Sequence, residues 1–294
     1  MTILYLHGFC ARLNGRKASH LRVHFGEHAV VEPPEPGFPY GRTLTKPVLD
    51  QLAEKIKQNP LELRTLFGPN RMSAIAELSP GLENFFSRSV EIAQSLYNET
   101  RPDIIVGSSL GGGVAMAINS RQTPMVLVGP VWNQNIRSGI SADHLPGTAF
   151  LKRLALNAAT VALRGPIARF AGFSISKVVK PGTIILHSAH DAVFDISNSH
   201  ALIRNSPIAV DDPWRGKMEQ ITNSLTAAGY GNRKSSMYAD YNDGRLIIIG
   251  KDHHTNEPDP KDRHNRDAHP HNALVTAVRA LLEVSAPALT PARL

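Results

Sequence analysis

The chain predicts an α/β fold, a mostly parallel sheet of about six strands with helices on both faces. Three observations predict it. Short runs of β-branched and apolar residues recur at Ile3 to Leu6, Ile104 to Val106, Met125 to Val128, Thr183 to Leu186 and Leu246 to Ile249. Such runs lack the polar alternation of a half-solvated strand and suit strands buried on both faces. Segments of helical spacing lie between them, and strands alternating with helices favour a parallel sheet. Finally, 294 residues with 42% hydrophobic and 19% charged side chains can build a sizeable core.

Taken in order, Ile3 to Leu6 is a buried strand ending at His7-Gly8, and Ala29 to Glu32 is a weaker strand stopped by Pro33-Pro34. Val48 to Ile56 carries a modest helical pattern. Glu83 to Tyr97 places Phe86, Val90, Ala93 and Tyr97 on one helical stripe. After the strand Ile104 to Val106, Gly111 to Ile118 reads as a helix of small residues packed closely on the sheet. Beyond the strand Met125 to Val128, Phe150 to Leu156 and Ala158 to Phe170 are helix candidates. The strand Thr183 to Leu186 leads to a helix over Ile196 to Arg204. Residues 205–243 read as polar and irregular, Leu246 to Ile249 as a strand, and Ala273 to Val284 as a closing helix. The Pro/Ala-rich tail from Ala286 is expected to fray. No repeat and no clear linker is evident. Segments 33–80, 131–180 and 205–243 therefore read as insertions into a single domain spanning 1–294, and 131–180 is long enough to form a helical lid.

Composition narrows the class. One cysteine, Cys10, allows no intrachain disulfide and suits a reducing compartment. It reads as a small buried hydrophobe. The opening M-T-I-L-Y-L-H-G has no basic segment ahead of its short apolar run, so no signal peptide is expected. No stretch approaches the roughly 18 apolar residues of a membrane span. The expectation is a cytoplasmic protein without a membrane span. The net charge is +7, but Lys and Arg are scattered and no nucleic-acid motif is present. The basic residues therefore read as a solvated face rather than a nucleic-acid surface.

The stretch Gly107-Ser108-Ser109-Leu110-Gly111-Gly112-Gly113 invites a functional reading. No lysine follows the glycines, which removes a P-loop, and their spacing is not that of a dinucleotide fingerprint. It does fit G-x-S-x-G between a strand and a helix, the setting of a nucleophile elbow. Ser109 is then the nucleophile. A register centred on Ser108 would put Val106 and Leu110 where glycines are needed. Leu110 and Phe9, the latter in the loop after the first strand, are the expected backbone N–H donors to an oxyanion. His7 reads as a brace for that loop.

An acid and a base follow in order. Asp191 lies just beyond the strand Thr183 to Leu186 and is placed to orient a histidine; Asp195 reads instead as the N-cap of the helix at Ile196. His253 and His254 follow the strand Leu246 to Ile249. His253, nearer the strand end, is the expected base and His254 the alternative. Ser109, Asp191, His253 is the order Ser…Asp…His expected of this arrangement. The tract from Asp252 to His271 is rich in Asp and His, but its spacing matches no catalytic metal motif. No metal or cofactor is expected.

These residues together resemble the α/β-hydrolase superfamily: the elbow Gly107-Ser108-Ser109-Leu110-Gly111, the strand end Leu6-His7-Gly8-Phe9, Asp191 and the loop Gly250 to His254. The opening Y-L-H-G-F, with its Lys17-Ala18 helix start, is similar to small bacterial esterases. The resemblance covers the core strands, departs in the segments 33–80, 131–180 and 205–243, and implies an α/β-hydrolase fold that needs no cofactor; with a first strand at Ile3, the two N-terminal antiparallel strands of larger members are expected to be absent. It implies a serine hydrolase cleaving a carboxylic ester or thioester through Ser109, His253 and Asp191. Two alternatives stand beside it. Lys152, Arg153, Arg164 and Arg169 could dock an acidic acyl-carrier protein or acyl-CoA, making the protein a thioesterase or acyltransferase. Or the protein could be a non-catalytic binding member of the superfamily.

Overall fold

The computed structural model describes residues 1–8, 15–34, 83–131, 178–188, 195–228, 245–249 and 272–285, with the single positions 58, 73, 76, 169, 172 and 230. Within them six strands form one all-parallel sheet: β1 (Ile3–Leu6), β2 (Val30–Val31), β3 (Ile104–Ser108), β4 (Met125–Val128), β5 (Thr183–His187) and β6 (Leu246–Ile248), in the order β2-β1-β3-β4-β5-β6. Six helices accompany them: α1 (Arg16–Phe25), α2 (Phe85–Thr100), α3 (Leu110–Ala117), α4 (Ile196–Arg204), α5 (Trp214–Ala227) and α6 (Asn272–Ser285).

Side-chain alternation along the strands divides the interior into two cores, one on each face. Leu4 and Leu6, Ile105, Met125 and Leu127, Ile185 and Leu246 point to one face, where they meet α2, α3 and α4. Ile3 and Tyr5, Ile104 and Val106, Val126 and Val128, Ile184 and Leu186, and Ile247 point to the other, where they meet α1, α5 and α6. Both faces are covered, so every central strand position must be apolar, and this is why the runs show no period of two in sequence.

The expected strands β1 and β4 and the helix α4 have the predicted bounds. β3 runs two residues further, through Gly107 and Ser108, and β5 one further, to His187. Ala29 belongs to a short 3-10 turn, Glu27–Ala29, which follows Gly26 at a φ of 103°, so β2 is shorter than Ala29 to Glu32. The larger correction concerns 205–243. That segment contains the four-turn helix α5, which buries Met218, Ile221 and Leu225. Polar composition alone predicts an irregular segment here. Packing of this narrow stripe against the sheet outweighs the polar remainder. The helix candidates Val48 to Ile56, Phe150 to Leu156 and Ala158 to Phe170 lie outside the described residues but for Arg169.

The strand order has one topological switch point. From β1 the chain passes through α1 to β2 on one side, and β3 lies on the other side of β1. In open parallel sheets, the crevice outside the carboxyl ends of the strands flanking such a point is where ligands bind. Here those ends are Leu6-His7-Gly8 and Ser108-Ser109. Among the described residues no helix is long and apolar enough to cross a membrane.

Candidate active site at the carboxyl edge of the sheet

β3 passes directly into α3, and Ser109 is the single residue between them. Its backbone has φ 54° and ψ −119°, a conformation costly for a residue with a Cβ. Backbone hydrogen bonds hold it from several directions. Ser109 N–H donates to Val128 O at 2.8 Å, while its carbonyl accepts from Gly112 N–H at 2.9 Å and Val131 N–H at 3.0 Å. The strain is therefore over-determined by the surroundings. Although Ser109 stands at the N-cap position of α3, its side chain makes no capping bond to the helix.

The flanking glycines are required by close approach. A Cβ on Gly111 would fall 2.1 Å from the carbonyl oxygen of Leu6 in β1. One on Gly107 would fall 2.7 Å from the Cα of Gly112. Absence of side chains at these two positions lets α3 press against β1 and β3, which sharpens the turn and lifts Ser109 out of it. Gly8 serves the same crowding from the neighbouring strand, since a Cβ there would lie 3.0 Å from the Cβ of Ser109. The loop after β1 and the turn after β3 are thus in contact at the switch point.

The two adjacent serines have different surroundings. Ser108 is buried at the last position of β3, and its hydroxyl is hydrogen-bonded to the phenol of Tyr5. Burial, and secondly the Glu32 carboxylate, hold that phenol well above its ordinary pKa, an effect the Ser108 hydroxyl partly offsets. Glu32 is paired in turn with Arg22 Nη2 at 2.9 Å. Ser108 therefore serves the core on the α1 face, whereas Ser109 is half-buried at the edge.

Leu110, the expected oxyanion donor, is the first residue of α3, so its N–H has no acceptor within the helix. His7 is buried, with Nδ1 3.1 Å from the carbonyl of Gly8, as suits a loop brace. Asp195 is the N-cap of α4, its Oδ1 accepting from Ser197 N–H at 2.8 Å. Phe9, Cys10, Asp191, His253 and His254 lie outside the described residues, as do Lys152, Arg153 and Arg164. The strands that lead to the expected acid and base end on the same edge as Ser109. The carboxyl ends are tied in sequence by Ser109 N–H to Val128 O, Gly129 N–H to Leu186 O at 2.8 Å, and Ile249 N–H to His187 O at 2.8 Å.

Sequence reasoning passed over two further features of this edge. His187, fully buried at the end of β5, shares a 2.6 Å hydrogen bond with Ser199 of α4. His200 lies beside it, and burial first, then His187 and Arg204, pull its pKa below the ordinary value. Lys17, read only as part of a helix start, is half-buried, and desolvation lowers its ammonium pKa. The signal for His187 lies in His187-Ser188-Ala189-His190-Asp191, where this histidine directly follows the apolar run of β5.

Among the described residues no group of three or more His, Cys, Asp and Glu is placed to hold a metal ion. No family model and no curated protein sequence matches the chain.

Proposed function

We propose that the protein is a serine hydrolase of α/β-hydrolase type that cleaves a carboxylic ester or thioester. The observation that carries the reading is the backbone of Ser109, φ 54° and ψ −119°, in a one-residue turn between a buried parallel strand and a helix. A serine in that conformation costs about 1–3 kcal/mol where glycine would cost little. Its occurrence beside the switch point favours a role for the hydroxyl.

In the proposed reaction, Ser109 Oγ attacks the carbonyl carbon while His253, or His254 in its place, takes the hydroxyl proton. Asp191 holds the imidazole in the required tautomer and faces the imidazolium that forms. The N–H groups of Leu110 and Phe9 donate to the oxyanion, and the N-terminus of α3 adds positive potential there. The histidine returns the proton to the leaving alcohol or thiol. Water then repeats the sequence on the acyl-enzyme and releases the acid. Chain length is compatible with this assembly. Asp191 follows the last residue of β5 by four positions, a reach of up to about 14 Å. β5 is the second strand from β3, about 10 Å away. Of the segment 131–180, the part that precedes Val178 is assigned as the lid over the site; Lys180 lies at the entry to β5, on the opposite edge.

Replacing Ser109 by Ala tests the reading. Turnover of p-nitrophenyl butyrate is expected to fall by about 10³-fold or more, and labelling by a fluorophosphonate probe to disappear. Wild-type turnover retained by the Ser109→Ala protein would overturn the assignment. A wild-type protein that neither turns over the ester nor takes up the probe would favour the non-catalytic alternative.

A further inference from the structure

The described residues outline a cleft of about 1030 Å³ at the opposite, amino edge of the sheet. Its floor is the chain entering β3, β4 and β5, and its walls are the first turn of α5 and the last turn of α6. β3 alone, five residues long, puts about 16 Å between this cleft and Ser109. It is therefore separate from the proposed active site.

The charges around it are unbalanced. Arg121, Lys180 and Lys217 all line the cleft, and among the described residues no ion pair involves any of them. Both carboxylates present are already engaged. Asp103 Oδ2 accepts from Thr2 N–H at 2.7 Å and lies 3.8 Å from the amino terminus. Asp212 Oδ1 accepts from Trp214 N–H at 2.8 Å. Lys180 is half-buried, and desolvation lowers its pKa. Its one side-chain bond donates to the hydroxyl of Ser120, a neutral acceptor. Lys217 Nζ stands 5.0 Å above the ring of Trp214. That ring rests on Gly182, where a Cβ would fall 2.7 Å from it.

One further feature concerns the cations of the cleft. Arg121 is held at φ 51°, in the left-handed region where glycine or asparagine would be cheaper. The two helix ends that meet here have opposed dipoles, so the lining side chains set the balance, with Arg121, Lys180 and Lys217 facing the two carboxylates Asp103 and Asp212.

We propose that this cleft binds a phosphorylated small molecule of nucleotide size, with its phosphates on Arg121, Lys180 and Lys217. Guanidinium and ammonium groups without carboxylate partners match a polyphosphate. A half-buried lysine whose charged form is disfavoured gains most from an incoming anion. The volume exceeds what inorganic phosphate fills and is of the size of small-ligand sites. The inference does not rest on the catalytic reading.

Isothermal titration of the full chain with pyrophosphate and, separately, with adenosine triphosphate tests it, with the emission of Trp214 as a second readout. Saturable binding at one site per chain is expected. The Lys180→Gln/Lys217→Gln double variant should bind at least about tenfold more weakly. Arg121→Gly is the decisive control, because it removes a cation and relieves the left-handed backbone together. It should weaken binding with an unchanged or raised melting temperature, and it should leave ester turnover unchanged. Binding with equal affinity in the double variant and in Arg121→Gly overturns the proposal, as does the absence of saturable binding to the folded wild-type chain.

Discussion

The two edges of the sheet are built on opposite principles. At the carboxyl edge, backbone is pressed against backbone. Gly111 of α3 lies under the carbonyl of Leu6, Gly8 touches the Ser109 turn, and one serine is held in a conformation it would not choose. At the amino edge, long charged side chains surround a cleft. Crowded backbone fixes one atom in one place, as the proposed nucleophile would need. Long cationic side chains around open space adapt to a ligand. In a parallel sheet the asymmetry has a simple origin: every strand delivers its carboxyl end, and hence the start of the next helix, to the same edge.

Substituting one glycine at each edge should separate them most strongly. Gly111→Ala meets a carbonyl oxygen at 2.1 Å and can be accommodated only by parting α3 from β1. A loss of about 4 kcal/mol or more is expected, seen as insoluble or thermally unfolded protein. Gly182→Ala meets the ring of Trp214 at 2.7 Å, a side chain able to shift, and should cost about 1–2 kcal/mol in urea unfolding. Equal losses at the two sites would remove the distinction between the edges.

The amino edge also has a rigid element. Arg245, fully buried ahead of β6, donates from Nη2 to the carbonyl of Ser206 and, at 3.4 Å, to that of Ile203, at the end of α4. Arg245→Ala removes these donors and leaves a cavity, a loss of about 3 kcal/mol by urea unfolding. A smaller change of opposite sign is expected at the carboxyl edge. Ser109→Gly relieves a strain of about 1–3 kcal/mol, offset by about 0.5–1 kcal/mol of added chain entropy. The variant should be about 1 kcal/mol more stable than wild type and devoid of esterase activity. Loss of stability in Ser109→Gly would show that the turn is not strained.

The smallest effect concerns pH. His200 has a folded pKa below its ordinary value, chiefly through burial, so protons bind the unfolded chain more readily. The neutral form contributes fully above about pH 6.5, and stability falls as the pH drops below that value toward the folded pKa. Urea unfolding at pH 7.5, 6.5 and 5.5 should show a decline that His200→Gln makes shallower. A decline of equal slope in both proteins would place the titration elsewhere.

Much of this was legible from residue order because local sterics are written locally. Runs such as Met125 to Val128 and Ile3 to Leu6 have no stable fate but burial. Gly107 and Gly111 flank Ser109 at a spacing that only a tight strand-to-helix turn requires. Asp195 directly before Ile196-Ser197 is a helix cap by its own hydrogen-bonding reach. Helix α5 was legible too, in Trp214, Met218, Ile221 and Leu225, but composition concealed a stripe only one residue wide.

Other features depend on residues brought together from far apart. The sequence by itself determined that the protein is α/β, where its strands run, and that Ser109 rather than Ser108 occupies the turn. The tertiary structure alone decided that β3 lies beside β1, that Ser108 meets Tyr5, and that Arg121, Lys180 and Lys217 share one cleft. Turn chemistry and burial act over a few neighbouring residues and leave a pattern there. Strand order and charge balance come from packing across the whole chain, and no short stretch records them.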